Sequence, residues 1–484
     1  MKAVTYLAIL MLCITGACAQ TWIEIQQDGK TYRVPAVLVD PNVTPEPNIP
    51  PEPNEPPIPP EPNEPPIVAT YWVDGTNGDD SNPGTFEQSW KTIARAKIDF
   101  AGEPKVAYGD TVAVENGSYG GFSIEKDTFQ LWNQENTVPL PPEQKWVRYV
   151  AVGDDVRLAA IRFSLGNDLR VVAHEFDGFQ IIEPTAQGVY TRCAMGLRLK
   201  NMTLRGITDT AKLYEGNSYH NNMEFSYRNA EIHIDNCDIS AGYRGVFFGG
   251  WNCNLSITNC NIHGVGTDKI ISGGGVNFLI ENNHIHTNSL LSSEHPDCIQ
   301  FYTAANRYLG ASVDNLTIRG NWLYDHSSQG LWTGGSLLNN VLFENNLIYN
   351  TGNYEWRVYG VQGGMFRNNT IVGDDQGNTG IIFYGGVFED SDGLMEGYPR
   401  NSNISCHHNV FATSYSGSLE VLTSHNYNLF VNGWDGSPGN SEPNSVRFET
   451  IPEATEALFV NPAKRDYRLK GVYAGRGGYE RVEP

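Results

Sequence analysis

The chain has 484 residues, a formal net charge of −22, only 18% charged residues and 50 glycines. That acidic balance argues against nucleic acid as a partner, while leaving room for an anionic polysaccharide met by a locally basic site. The length exceeds what a single hydrophobic core supports, so a repeat architecture is the first thing to seek.

Residues 1–19 read as an export signal: Lys2, an apolar run from Ala3 to Ile14, and the small residues Ala17-Cys18-Ala19 before Gln20. The run is too short to span a bilayer. Cys18 after Thr15-Gly16-Ala17 also raises lipid anchoring, although Thr15 stands where such sites prefer Leu. The expected location is secreted, periplasmic or cell-surface. Residues 20–39 form a segment too short to fold alone. Residues 40–67, with the recurring unit PEPNEPP, favour extended polyproline II and act as a spacer. Residues 68–484 form the main domain, expected to be monomeric.

"YWVDGTNGDDSNPGTFEQSWKTIARA" at 71–96 predicts a strand, a Gly/Asp/Asn turn and an amphipathic helix. "GDTVAVENGSY" at 109–119 predicts a first strand rung. From there one unit recurs: apolar-x-apolar, a polar turn that often holds Asn-Asn, then x-apolar. Its last residues are Ile181, Leu204, Ile239, Ile262, Ile285, Leu323, Ile348, Ile371 and Phe411, spaced by 23, 35, 23, 23, 38, 25, 23 and 40. The period of two inside each copy argues strand, and the repeat argues stacked parallel strands. A second strand often ends in Gly-Gly. Stacking would align Asn236, Asn259, Asn282, Asn345 and Asn368 as a structural ladder. Cys193, Cys237, Cys253, Cys260, Cys298 and Cys406 contain no CxxC pair, so a zinc site is not expected.

The stretch 71–119, and the closing segment "ALFVNPAKRDYRLK" at 457–470, resemble the cap, opening rung and end of bacterial right-handed parallel β-helix proteins, the pectate-lyase-like superfamily. The resemblance implies an all-β, single-stranded right-handed parallel β-helix with an N-terminal cap helix. For chemistry it implies little, because lyases, hydrolases, epimerases and adhesins share the coil.

Outward positions on stacked strands form rows. Beside the apolar column, one row reads Arg205, Ser240, His263, His286, Tyr324, Tyr349, Val372, and the other Asp238, Asn261, His284, Trp322, Leu347, Thr370. Such an imidazole and aromatic strip suits sugar stacking and proton transfer, or plain cross-strand stacking. A third row is read as Arg244, Lys269, Asp297, Gln329 and Arg357. The rung from Ile285 to Leu323 is lengthened on both sides of His295-Pro296-Asp297, and long excursions from a scaffold are where sites are built.

Two chemistries fit. A polysaccharide lyase, or a C5-epimerase, needs Arg357, Lys269 or a cation to neutralise a uronate, His295, His286 or Lys269 as base, and Tyr324 as acid. A glycoside hydrolase would use Asp297 and Asp325. The favoured reading is the lyase, with His263, His286, Trp322, His326, Gln329, Tyr349 and Gln300 contacting the polysaccharide. Some β-helix alginate epimerases and lyases use a similar His/Tyr/Arg/Asp set. Their Asp-Pro-His motif is replaced here by His-Pro-Asp, so no role carries over directly. Polygalacturonase motifs (Asn-Thr-Asp, Gly-His-Gly, Arg-Ile-Lys) are missing. Asp74, Asp79 and Asp80, with Asn77, are weak Ca²⁺ candidates, and a capping turn is the competing reading. A third class is a non-catalytic polysaccharide-binding protein using the same strip.

Overall fold

The computed structural model describes residues 22–27, 30–35, 67–125, 140–213, 220–287, 296–302, 312–326, 328–334, 336–351, 355–373, 381–383, 401–413, 415–417, 422–431 and 444–479. The chain divides into two units, Met1–Pro65 and Pro66–Pro484. Among the described residues the first holds an antiparallel pair, Trp22–Gln27 with Lys30–Pro35. Two strands fall short of the three that usually sustain an independent sheet. The expected export signal and nearly all of the Pro-rich stretch lie outside the described residues.

The second unit winds through three parallel ladders. Long strands such as Trp251–Thr258, Gly275–Glu281 and Val313–Arg319 form one. Short strands such as Asn261–His263, His284–His286 and Trp322–His326 form the second. The third includes Ile270–Ser272, Asp297–Phe301 and Gln329–Trp332. The apolar column expected from the repeat is the centre of the short-strand ladder. Ile239, Ile262, Ile285, Leu323 and Ile348 pair in unbroken register and are at most 1% exposed. Each such buried side chain contributes about 1.5–3 kcal/mol relative to exposure. Phe122, Tyr149, Phe163 and Phe176 fill the N-terminal end with rings at 4.9–6.5 Å. Connections between twisted parallel strands take the right-handed course, and the coil is a right-handed parallel β-helix.

The corner between long and short strands uses its two polar residues differently. The first, Asn236, Asn259, Asn282, Asn345 or Asn368, has φ between 51° and 56°. Asn tolerates this left-handed conformation, which turns the chain. The buried ladder is the next residue: Asn283, Asn321, Asn346, Asn369, Asn409 and Asn428, each 0% exposed. Asn346 shows the pattern. Its backbone N–H donates to Asn369 Oδ1, its Oδ1 accepts from Asn321 N–H, and its Nδ2 donates to Ile318 O, at 3.0, 3.0 and 2.9 Å. The expected Asn ladder is therefore displaced by one residue, because the first Asn is spent on backbone conformation and the second faces inward. Toward the N-terminus Cys260 and Cys237 continue this column, with Cys237 N–H on Cys260 Sγ at 3.4 Å.

The caps differ from expectation in one respect. Residues 91–96 form turns rather than a helix. Lys91 and Thr92 N–H groups are drawn to Asp80 Oδ1, and Arg95 and Ala96 N–H reach back only three residues. Trp90, Ile93 and Ala96 are still buried. Among the described residues the α-helix is Ile451–Leu458, capped by Thr450 Oγ1 accepting from Glu453 N–H. An antiparallel pair follows, Phe459–Asn461 with Asp466–Leu469.

Candidate functional site

The two outward rows of the short-strand ladder have the register read from the sequence. His263 stacks on His286 at 5.2 Å, His286 on Tyr324 at 4.8 Å, and Tyr324 on Tyr349 at 5.1 Å, all within 9° of parallel. His284 stacks on Trp322 at 4.7 Å. Half of this strip is covered, however. Trp322, Tyr324, Leu347 and Tyr349 pack with Leu458, Phe459, Tyr467 and Tyr479 of the closing segment. The Arg465 guanidinium lies 5.5 Å from both Tyr324 and Tyr349 and donates to Asp325 Oδ2 at 2.8 Å. Tyr324, Tyr349 and Trp322 thus sit under a cap, and the expected open aromatic face ends at His286.

Two imidazoles, His286 and His326, are held below the ordinary histidine range. Burial, with the neighbouring His263 and His284, pulls His286 down to about 4. Its Nε2 meets Asn261 Oδ1 at 2.9 Å and its Nδ1 meets Thr287 Oγ1 at 2.7 Å. His326 is 2% exposed and is held well below the ordinary range, first by burial and then by Lys269. Ser328 N–H donates to its Nδ1 at 3.2 Å.

Ionisable side chains cluster at the corner where the short-strand ladder turns into the third ladder. Register there differs from the reading across the turn. Ile270 pairs with Ile299 and Val246 with Ile270. Two residues back, the row is Arg244, Asp268, Asp297, and Asp297 pairs with Gln329. Lys269 is level with Cys298 instead, and its N–H donates to Asp297 O at 3.0 Å. Arg357 pairs with Trp332, three residues further along, where its Nε donates to Tyr359 Oη at 3.0 Å. Gln300 shares that later row. Asp325 belongs to the short-strand ladder, so Asp297 and Asp325 share no column. His295 lies outside the described residues.

Asp268 is the residue that sequence reasoning missed. Its Oδ1 accepts from Asp297 N–H at 3.0 Å, and its Oδ2 lies 3.8 Å from Arg244 Nε. Burial, then the Asp297 charge, push it up to about 7. Burial brings Lys269 down to about 8, against the pull of Cys298, Asp268 and Asp297. Lys269, Asp297 and Gln329 are 0% exposed, and Asp268 is 5% exposed. Arg244 is the group nearest solvent, with its guanidinium 5.0 Å from the Tyr243 ring and 4.8 Å from that of Phe247. Two proton carriers displaced toward neutrality from opposite directions are what acid–base work requires.

The calcium candidates are engaged locally. Asp74 accepts from Thr76 and Asn77, Asp79 from Ser81, and Asp80 from Lys91 and Thr92, at 2.7–3.0 Å. That is a capping turn. Among the described residues no three His, Cys, Asp or Glu side chains gather as a metal site, and no helix is long and apolar enough to cross a membrane.

Three parallel ladders closed by corner amides define a single-stranded parallel β-helix. No family model matches the sequence, and no curated protein matches it. Among solved structures, a GH136 lacto-N-biosidase from Eubacterium ramulus is 11% identical with a TM-score of 0.40, covering 78% of this chain and 67% of that one. Pectate lyase Pel9A is 14% identical (TM-score 0.37, covering 85% and 87%), and a rhamnogalacturonan lyase 13% identical (0.41, covering 84% and 96%). Identities this low leave activity undefined.

Proposed function

We propose that the protein is an exported, carbohydrate-active enzyme that cleaves a uronate-containing polysaccharide by β-elimination at the Arg244–Asp268–Lys269–Asp297 corner. The supporting observation is Lys269, buried beside two aspartates and held at about 8. A desolvated lysine is a competent base near neutral pH. In this reading Arg244 meets the uronate carboxylate and Lys269, fully buried in this structure, takes the C5 proton after a movement of the corner brings it to the sugar. The C5–H electrons form the C4–C5 double bond, the C4–O bond breaks, and Asp268, protonated near neutrality, gives its proton to the leaving oxygen. Asp268 thereby takes the acid role first given to Tyr324. Arg357 leaves the neutralising role because it sits three residues beyond this row. His295 stays a proposed participant by its place two residues before Asp297.

Hydrolysis is the second reading, favoured by the carboxylate pair. Asp268 and Asp297 occupy one row on adjacent strands, which stand about 4.8 Å apart, near the roughly 5–5.5 Å of retaining glycosidases. This pair replaces Asp297 with Asp325. The test is an ultraviolet and reducing-end screen against alginate, pectate, glycosaminoglycans and xylans, with and without Ca²⁺. New absorbance that disappears in Lys269→Met supports elimination. Reducing ends without absorbance, lost in Asp268→Asn, shift the assignment to hydrolysis. Activity that survives both substitutions removes the corner from the mechanism, and binding without any cleavage supports a non-catalytic polysaccharide-binding protein.

A further inference from the structure

The long rung between Leu204 and Ile239 opens at the same corner as the acid–base row, and it carries a second feature that the proposed reaction does not use. A cleft of 460 Å³ lies there, lined by Glu183, Thr185, Thr208, Asp209, Lys212 and His220 among others. His220 is 7% exposed, and its Nδ1 is buried with no hydrogen-bond partner. A buried polar atom left unpaired is destabilising until a partner meets it. The ring torsion of His is soft, so the ring can turn to offer that nitrogen to a hydroxyl group in the cleft.

Position ties the cleft to the row. Tyr243 N–H donates to His220 O, and Thr267 N–H donates to Tyr243 O. His220 therefore stands two rungs before Thr267, the neighbour of Asp268. Two rungs are roughly 10 Å along the coil axis, further than one sugar ring reaches. The charges of the lining decide what fits. Lys212 is already 3.7 Å from Asp209, and Glu183 is 3.7 Å from Arg205. The carboxylates offer acceptors to hydroxyl donors and repel a further anion.

We infer that this cleft is a carbohydrate subsite for a neutral glycosyl unit, held through its hydroxyls by His220, Thr208 and the flanking carboxylates, two rungs from the acid–base row. The inference rests on the polysaccharide reading for its ligand class but not on the reaction. The experiment is calorimetric titration of the full chain and its variants with size series of xylo-oligosaccharides, manno-oligosaccharides and oligogalacturonates, with the ring signals of His220, assigned by their loss in His220→Gln, followed in the parent chain. A neutral series is expected to shift those signals, and His220→Ala to weaken that binding about tenfold, with His220→Gln in between. Cleavage of substrates too short to reach the cleft should keep its kcat in both variants. Shifts in a protein that cleaves nothing uphold the subsite while the catalytic reading fails. Preference for the oligogalacturonates, equal binding by His220→Ala, or ring signals unmoved by every series overturns the subsite.

Discussion

Asn346→Ala isolates the corner amides. The substitution removes the acceptor for Asn321 N–H and Nδ2, both at 3.0 Å, and the donor to Ile318 O at 2.9 Å. Asn369 Oδ1 keeps its bond from the residue 346 backbone at 3.0 Å, so that acceptor is not stranded. What is stranded is one buried N–H, at about 1–3 kcal/mol, with a carbonyl that loses one of its donors and a small void. The expected loss is about 2–4 kcal/mol. Asn346→Cys should recover about 1 kcal/mol of it, since Cys260 Sγ already accepts Cys237 N–H in the same column. The neighbouring Asn345→Gly, at φ 52°, should stay within about 0.5 kcal/mol of the parent. Denaturant unfolding with linear extrapolation gives all three values, and hydrogen exchange at the Asn321 amide localises the first. The reasoning is refuted if Asn345→Gly costs more than Asn346→Ala, or if Asn346→Ala is neutral.

Four further outcomes follow from the titrating groups and the cap. Asp268 sits at about 7 against 3.8 ordinarily, so between those values the folded chain keeps a proton that the unfolded chain has released, and stability falls as pH rises through that window. Asp268→Asn should flatten this slope in denaturant titrations. Lys269 at about 8 against 10.5 acts in the opposite sense: the unfolded chain holds the extra proton, stability rises with pH across that window, and Lys269→Met should abolish the rise. His174, buried among Phe122, Tyr149 and Phe163, is brought by burial to about 4 from 6.5, so the unfolded chain gains the proton as pH drops between those values and stability is lost. His174→Phe should make acid unfolding less steep. Arg465→Ala removes a half-exposed ion pair and two ring contacts, and should cost about 1 kcal/mol or less by the same unfolding assay.

Most of the coil was legible because a period-two pattern and a repeat near 23 residues are local signals. The apolar column from Ile181 to Phe411 and the rows beside it needed only counting along one ladder. Counting across a corner is less secure, since corner length changes from rung to rung. That displaced Arg357 by three positions, set Lys269 beside Cys298 instead of Asp297, and hid Asp268. The doubled Asn concealed which residue turns inward. The covering of Tyr324 and Tyr349 could not be read locally at all: Arg465 and Asp325 meet across 140 residues.

The corner column also bears on how the chain assembles. From Cys237 through Asn283 to Asn428, the backbone N–H of each inward residue is met by a side chain of the rung after it, and the last ends on Ser445 Oγ. Contacts of this kind join residues about one turn apart, so search distance stays short although the coil is long. The chain can therefore close like a zip, each finished turn offering the template edge for the next. The C-terminal segment, which lies over the side of several turns at once, is the piece that can dock only when those turns are already made.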